Sequence, residues 1–207
     1  MQILVVAATT EEIKPSLSFL KEHGIPYLTT GVGMVATTYT LTRYLQKHKI
    51  DLLIHVGIGG ILDRSACLGE VYQICTDEIF ELGADDNGLF IPIEELGFGK
   101  RIYAENPPAN TLLPQINKAK GITVNNVHGA VDSIIRLQKR YKKPLIESME
   151  GAAVFFVAEQ EKIYCLQFRA ISNYIEPRNR DTWEIGLAIK NLNDFLEEFL
   201  ESLNRSC

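Results

Sequence analysis

The run Asp51-Leu52-Leu53-Ile54-His55-Val56-Gly57-Ile58-Gly59-Gly60 decides the fold class. From Asp51 to Val56 it is dominated by apolar side chains. That pattern suits a strand buried on both faces, as in a parallel sheet. The strand then enters three glycines, and the spacing predicts a strand end where the backbone can approach a small ligand. A similar arrangement lies upstream. Tyr27 to Thr30 reads as a short strand, Gly31-Val32-Gly33 as a turn, and the residues to about His48 as a helix. Two glycine-rich strand ends are what an open α/β sheet needs for a crevice at the carboxyl ends of its strands.

Working outward, Ile3 to Ala8 is a further buried strand. Thr9-Thr10-Glu11-Glu12 follows it with the form of a capping box, opening a helix that Gly24 and Pro26 end near His23. Gly69 to Cys75 alternates and carries β-formers. The segment from Gly83 to Asn110 is rich in Gly, Asn and Pro and reads as irregular, with short strands near Phe90 and Ile102. The expected elements after it are a helix over Ala109–Ala119, a strand over Gly121–Asn125 and a basic-faced helix over Ser133–Tyr141. An extended Leu145–Ser148, a helix over Glu150–Glu161 and a buried strand over Tyr164–Ser172 follow. A polar loop, Asn173 to Arg180, leads to Asp181-Thr182-Trp183-Glu184, a second capping pattern. From Ile185 to Leu200 the apolar residues recur every three or four positions and form one helix face. Strands alternating with helices imply a sheet covered on both sides, in a single α/β domain spanning 1–207.

Composition fits that reading. Of 207 residues, 46% are hydrophobic and 23% charged, which excludes disorder, collagen and coiled coil as dominant states. The formal charge of −5, from 26 acids and 21 bases, argues against a nucleic-acid coat. A nucleoside, small and without phosphate, is compatible with it. Cys67, Cys75, Cys165 and Cys207 form no C-x-x-C pair and have no histidine at ligand spacing. They read as buried or idle thiols, and neither a metal nor a cofactor is expected. The opening MQILVVAATTEE has no cationic region before its short apolar run, so it reads as a first strand and not as a signal peptide. No stretch approaches about 18 apolar residues, so no membrane span is expected and a cytoplasmic protein is the default.

Several residues carry both a structural and a chemical reading. Gly31-Val32-Gly33 with Ala36 is an incomplete dinucleotide fingerprint, and the candidate acid Asp51 begins a strand instead of ending one. Glu12 is explained by the capping box and Glu150 by the dipole of the helix it opens. Both nevertheless sit at strand-to-helix junctions, and two carboxylates converging on one crevice can activate a water and hold sugar hydroxyls. Arg169, inside a buried run, needs either a structural ion pair or a reacting centre to justify it. Asn173 suits a turn, or an amide bonded to a heterocycle.

The chain resembles the purine nucleoside hydrolases of the nucleoside phosphorylase superfamily over almost its whole length. The resemblance rests on Thr30-Gly31-Val32-Gly33-Met34-Val35-Ala36, Gly57-Ile58-Gly59-Gly60, Leu68-Gly69-Glu70-Val71 and Asp77-Glu78. Its most specific pieces are Ser148-Met149-Glu150-Gly151-Ala152-Ala153 and Arg169-Ala170-Ile171-Ser172-Asn173. It implies a three-layer domain with a mixed central sheet and helices on both faces. It implies a homo-oligomer, at least a dimer, acting on a purine nucleoside. Glu12 would then activate water, Met149 and Glu150 would hold the ribose, and Arg169 would fix the water. Gly57, Ile58 and Gly59 would line the substrate. Asn173 stands where adenine-directed relatives carry an aspartate, and Ile58 where they often carry a hydroxyl residue. Asn173 with Pro177-Arg178-Asn179-Arg180-Asp181-Thr182-Trp183 is most similar to the futalosine hydrolases of menaquinone biosynthesis, which release hypoxanthine. The methylthioadenosine/S-adenosylhomocysteine nucleosidases are the alternative, and a non-catalytic nucleoside-binding module is the alternative of another class. Arg178, Arg180 and Arg101 are candidates for the carboxylated arm of such a substrate, and Phe90, Phe98 and Tyr103 for the aromatic stacked on its base.

Overall fold

The computed structural model describes residues 1–109, 111–142 and 144–205. Cys207 thus lies outside the described residues. The elements are β1 (Ile3–Ala7), α1 (Thr10–Ile13), α2 (Leu17–Glu22), β2 (Tyr27–Thr29), α3 (Met34–Leu45), β3 (Leu52–Ile61), β4 (Val71–Ile79), β5 (Gly83–Asp86) and β6 (Leu89–Pro92). They continue with β7 (Ile102–Ala104), β8 (Asn117–Thr123), α4 (Val131–Arg140), β9 (Leu145–Ser148), α5 (Gly151–Glu161), β10 (Tyr164–Tyr174) and α6 (Ile185–Arg205). Together they form a mixed α/β domain.

The main sheet runs β10-β4-β8-β9-β3-β1-β2, with β7 on β4. Because β3 also pairs with β10, five of its strands close into a ring. Strands β1, β2, β3 and β10 are mutually parallel through their shared pairings, whereas β4 runs antiparallel to β10 and β9 antiparallel to β3. Alternation along β3 and β10 separates two cores. Leu52, Ile54 and Val56 pack with Leu166, Phe168 and Ala170 beneath Ala188, Leu192 and Leu196 of α6. Leu53, Cys165 and Ile171 face the other way, toward Ala152 and Phe155 of α5 and Leu41 of α3.

The structure departs from the sequence expectations in five places. Pro15 lies in a 3-10 turn over Lys14–Ser16 and divides the first expected helix into α1 and α2, because its ring removes a donor and crowds the preceding turn. No helix occupies the described part of Ala109–Ala119. Residues 111–116 are irregular around Pro114, and Asn117 already belongs to β8, drawn into pairing with Tyr72 of β4. Gly83–Asp86 pairs with Leu89–Pro92 as a ribbon. Its Asn87-Gly88 corner has both φ angles positive, at 54° and 87°, the backbone that an Asn-Gly hairpin turn requires. The last helix begins at Ile185, after a separate 3-10 turn over Arg180–Thr182. Finally, Gly57-Ile58-Gly59-Gly60 is not a strand end. Strand β3 continues through it to Ile61, because β10 pairs alongside it as far as Tyr174.

Candidate active site

The glycines of β3 make room for side chains. A Cβ on Gly57 would overlap Nη1 of Arg169 and lie 2.9 Å from Oε1 of Glu12. A Cβ on Gly60 would lie 2.9 Å from Nδ2 of Asn173, and one on Gly59 would lie 2.9 Å from the backbone oxygen of Glu147. The missing side chains leave a cleft of about 350 Å³ lined by Glu12, Ile58, Gly59, Gly60, Met149, Glu150 and Asn173, among others.

Glu12 is reached by the strand-to-helix turn from β1 to α1. Its Oε2 accepts from Thr9 N (3.0 Å) and Thr9 Oγ1 (3.1 Å), and its Oε1 accepts from Ile58 N (3.1 Å). Capping and placement in the cleft are therefore one arrangement: the bonds that start α1 also aim the carboxylate across β3. Glu150 stands just before α5, and its Oε1 accepts from Gly33 N at 2.9 Å. Gly31 and Gly33 have φ of 85° and 92°. This left-handed backbone, open to glycine, turns the Gly33 amide toward the carboxylate. Burial pushes the Glu150 carboxyl above its ordinary range. The Arg169 charge and the Gly33 amide pull it back, and the Glu12 charge pushes it further up.

Arg169 is completely buried, yet no carboxylate among the described residues forms an ion pair with it. Of the two readings of Arg169, the structural ion pair is not found among the described residues. Its Nη2 lies 3.1 Å from Nε2 and 3.3 Å from Nδ1 of His55, while Nε and Nη1 have no protein partner. Unsatisfied donors on a buried guanidinium are costly unless water or a ligand meets them. One strand row away, Glu147 of β9 and Asn173 of β10 both stand opposite Gly60. Asn173 Oδ1 accepts from Ser172 Oγ (2.8 Å), and its Nδ2 donates to Tyr174 O (3.0 Å).

The structure thus brings Glu12, Glu150, Met149, Ile58, Gly59 and Asn173 to the cleft, while Gly57 and Arg169 lie behind Glu12 and do not line it. Other expectations it does not bring there. Of the three arginines, only Arg178 lines the cleft, and it also lies over the Trp183 ring at 5.2 Å. Arg101 is engaged by Glu78 and Glu94, and Arg180 lies over the same Trp183 ring at 5.8 Å. Phe90, Phe98 and Tyr103 do not line the cleft; Tyr174 and Trp183 do. The sequence reading missed His128 and Glu147. Both line the cleft, with His128 N donating to Glu147 Oε1 (3.0 Å) and the ring Nδ1 against Glu147 Oε2. They are 19 residues apart in sequence, and only an acid inside a short apolar strand hinted at a partner.

Two carboxylates and an amide lining a cleft, with a guanidinium buried behind one of them, can polarise a water, stabilise a cationic sugar and donate to a departing base. Among the described residues no group of three or more His, Cys, Asp or Glu is arranged for a metal. No described helix is long and apolar enough to cross a membrane.

A family model described as the phosphorylase superfamily matches residues 7–205. The chain is 30% identical over 197 residues to a futalosine hydrolase of Streptomyces coelicolor, covering 91% of this chain and 84% of that one. Among solved structures it is similar to a 5'-methylthioadenosine/S-adenosylhomocysteine nucleosidase of Helicobacter pylori, with TM-score 0.79, 16% identity and 97% and 98% of the two chains covered. It is also similar to the futalosine hydrolase of Helicobacter pylori, with TM-score 0.77, 17% identity and 99% and 97% covered. At those identities the two solved structures speak for the fold.

Proposed function

The chain belongs to the phosphorylase superfamily, and from that premise we propose that it is a purine nucleoside hydrolase whose substrate is futalosine. The observation that carries the proposal is the convergence of Glu12 and the unpartnered edge of Arg169 over Gly57, with Glu150 near enough for both charges to act on it. The relative at 30% identity supports the choice of futalosine.

In this reading Glu12 takes a proton from water, and the oxygen attacks C1' of the ribose as the N-ribosidic bond breaks. The sugar passes through an oxocarbenium-like state, which resembles that of glycoside hydrolysis. Glu150 accepts hydrogen bonds from the ribose hydroxyls, and its charge is more favourable to the cationic sugar than to the neutral ground state. Met149 packs against the ribose. The free Nε and Nη1 of Arg169 hold the water and balance the two carboxylates. Asn173 donates to N7 or O6 of the base, which leaves as an anion and takes up the proton released from water to give hypoxanthine.

A cytoplasmic homo-oligomer belongs to the same reading. Val35 and Tyr39, on α3, are exposed beside Val32 at the cleft, an apolar face that a second copy would cover. Incubation with futalosine, methylthioadenosine and inosine, followed by chromatography of the released base, tests the proposal. Hypoxanthine from futalosine is expected. Adenine from methylthioadenosine, with no base from futalosine, would move the chain to the other nucleosidase group. No base from any of them would leave a binding module.

A further inference from the structure

Behind Arg169 lies a chain of buried polar side chains that the proposed mechanism does not use. His55 of β3 lies with Nδ1 3.2 Å from Gln167 Oε1, and Gln167 Nε2 donates to Asp77 Oδ2 at 2.9 Å. Thr123 Oγ1 donates to Asp77 Oδ1 at 2.8 Å and accepts from Ala152 N, in the first turn of α5, at 2.7 Å. Arg169, His55, Gln167, Asp77 and Thr123 are each at most 1% exposed. Buried polar side chains are retained where they satisfy one another, and here His55, Gln167, Asp77 and Thr123 do so, whereas Arg169 keeps Nε and Nη1 without a protein partner.

The chain has one self-consistent arrangement of protons. An ionised Asp77 only accepts, so the amide of Gln167 faces it with nitrogen and turns oxygen toward His55. His55 must then carry its proton on Nδ1, and Arg169 Nη2, 3.3 Å from Nδ1 and 3.1 Å from Nε2, lies against the neutral ring. Burial, and next the Arg169 charge, hold the His55 pKa well below its ordinary value, so the ring stays neutral beside the guanidinium. The glycines confirm how tightly both ends are built. A Cβ on Gly57 would overlap Arg169 Nη1, and one on Gly121 or Gly151 would overlap Asp77 Oδ2.

We infer that Asp77, acting through Gln167 and His55, is the positioning anion for Arg169. A carboxylate placed directly on a guanidinium tends to take two of its donors in a bidentate pair. Here a neutral imidazole takes Nη2 alone, and the counter-charge is set back by two side chains. Nε and Nη1 are left without a protein partner, Nη1 over Gly57 on the side of Glu12, and the rotation of the guanidinium is fixed. The same carboxylate sits under the start of α5, immediately after Glu150, so one buried group references two of the cleft's charges.

The inference rests on the nucleosidase reading for its kinetic test but not for its spectroscopic one. In the wild type, nitrogen-15 NMR of the four histidines, with His23, His48 and His128 assigned by their own substitutions and His55 by difference, should show a neutral Nδ1–H tautomer at His55. Gln167→Leu should change that tautomer balance. An Nε2–H tautomer in the wild type would overturn the relay, and this measurement needs no variant of the relay to fold. In the kinetic arm, Gln167→Leu should lower kcat about tenfold with KM within about twofold, and should cost almost nothing further in an Arg169→Ala background. Equal losses in both backgrounds would mean that Gln167 does not act through Arg169. The expected tautomer in a protein that cleaves no nucleoside would keep the relay and reject the nucleosidase reading.

Discussion

The two halves of β3 and β10 obey opposite rules. From Leu52 to Val56 and from Tyr164 to Phe168 the strands run in even register, and most of their side chains are apolar and buried. From Gly57 and Arg169 onward the same pair carries three glycines, a buried guanidinium and an amide, and its register shifts between Ile171 and Asn173. The first half is built to be filled, and the second is built around space. Side-chain atoms are withheld at Gly57, Gly59 and Gly60 so that groups from α1, β9 and β10 can reach over the sheet. Stability and chemistry are thus divided along a single pair of strands, and substitutions on either side of Gly57 should separate them.

The largest expected effect is at Glu12. Glu12→Gln keeps a side chain able to complete the capping box, so the fold should survive. Turnover should fall by about a hundred- to ten-thousand-fold, the usual contribution of a general base. Near-normal steady-state rates would reduce Glu12 to a cap.

A paired experiment across the boundary comes next. Gly57→Ala should displace Arg169 and lower kcat about a hundredfold, as misplacement by an ångström does, with a smaller effect on melting. Leu53→Ala, four residues earlier on the same face, should cost about 2–5 kcal/mol in denaturant unfolding and leave the rate of the folded enzyme nearly unchanged. If both substitutions moved both quantities alike, the division would be wrong.

Asn173→Asp is a finer test. An ionised carboxylate faces the lone pairs of a 6-oxopurine without a donor, and a buried mismatch of that kind costs about 1–3 kcal/mol. Hypoxanthine release should drop roughly ten- to a hundredfold, while any trace of adenine release should hold or rise. Unchanged preference between the two nucleosides would remove Asn173 from base selection.

The smallest effect concerns Asp77. Burial raises its carboxyl from 3.8 to about 6, against smaller opposing contributions from Gln167, Thr123 and Arg169. The folded state therefore binds this proton more tightly than the unfolded chain. Its contribution to stability is present at low pH and is lost as pH rises from about 4 to about 6. Asp77→Asn should remove that slope, visible as the difference between wild-type and variant unfolding curves measured across that range. Identical slopes would place Asp77 outside this linkage.

Much of this was legible in the sequence because the same residues serve local and tertiary ends. Thr9 to Glu12 announces a helix start, and that start aims the carboxylate. Arg169 in an apolar run announces a buried charge in need of a partner. What stayed hidden depends on pairing between distant strands. Gly57 to Gly60 looks like a turn unless one knows that β10 runs beside it. His55 and Gln167 each interrupt an apolar strand, a signal that a polar partner must exist, but nothing local says that they find each other across 112 residues. The helix expected over Ala109–Ala119 failed because composition carried that expectation while Pro114 and the pairing of β8 with β4 opposed it. Asn87-Gly88 was the opposite case, a local hairpin signal passed over among many turn residues.

The most direct test of the account is a reaction of futalosine in oxygen-18 water, without phosphate, followed by mass spectrometry of the sugar product. The wild type should release hypoxanthine and place one labelled oxygen on the anomeric carbon, and Glu12→Gln should do so far more slowly. A product that forms only when phosphate is supplied, carrying phosphate instead of the label, would contradict the assignment of Glu12 as the base that activates water.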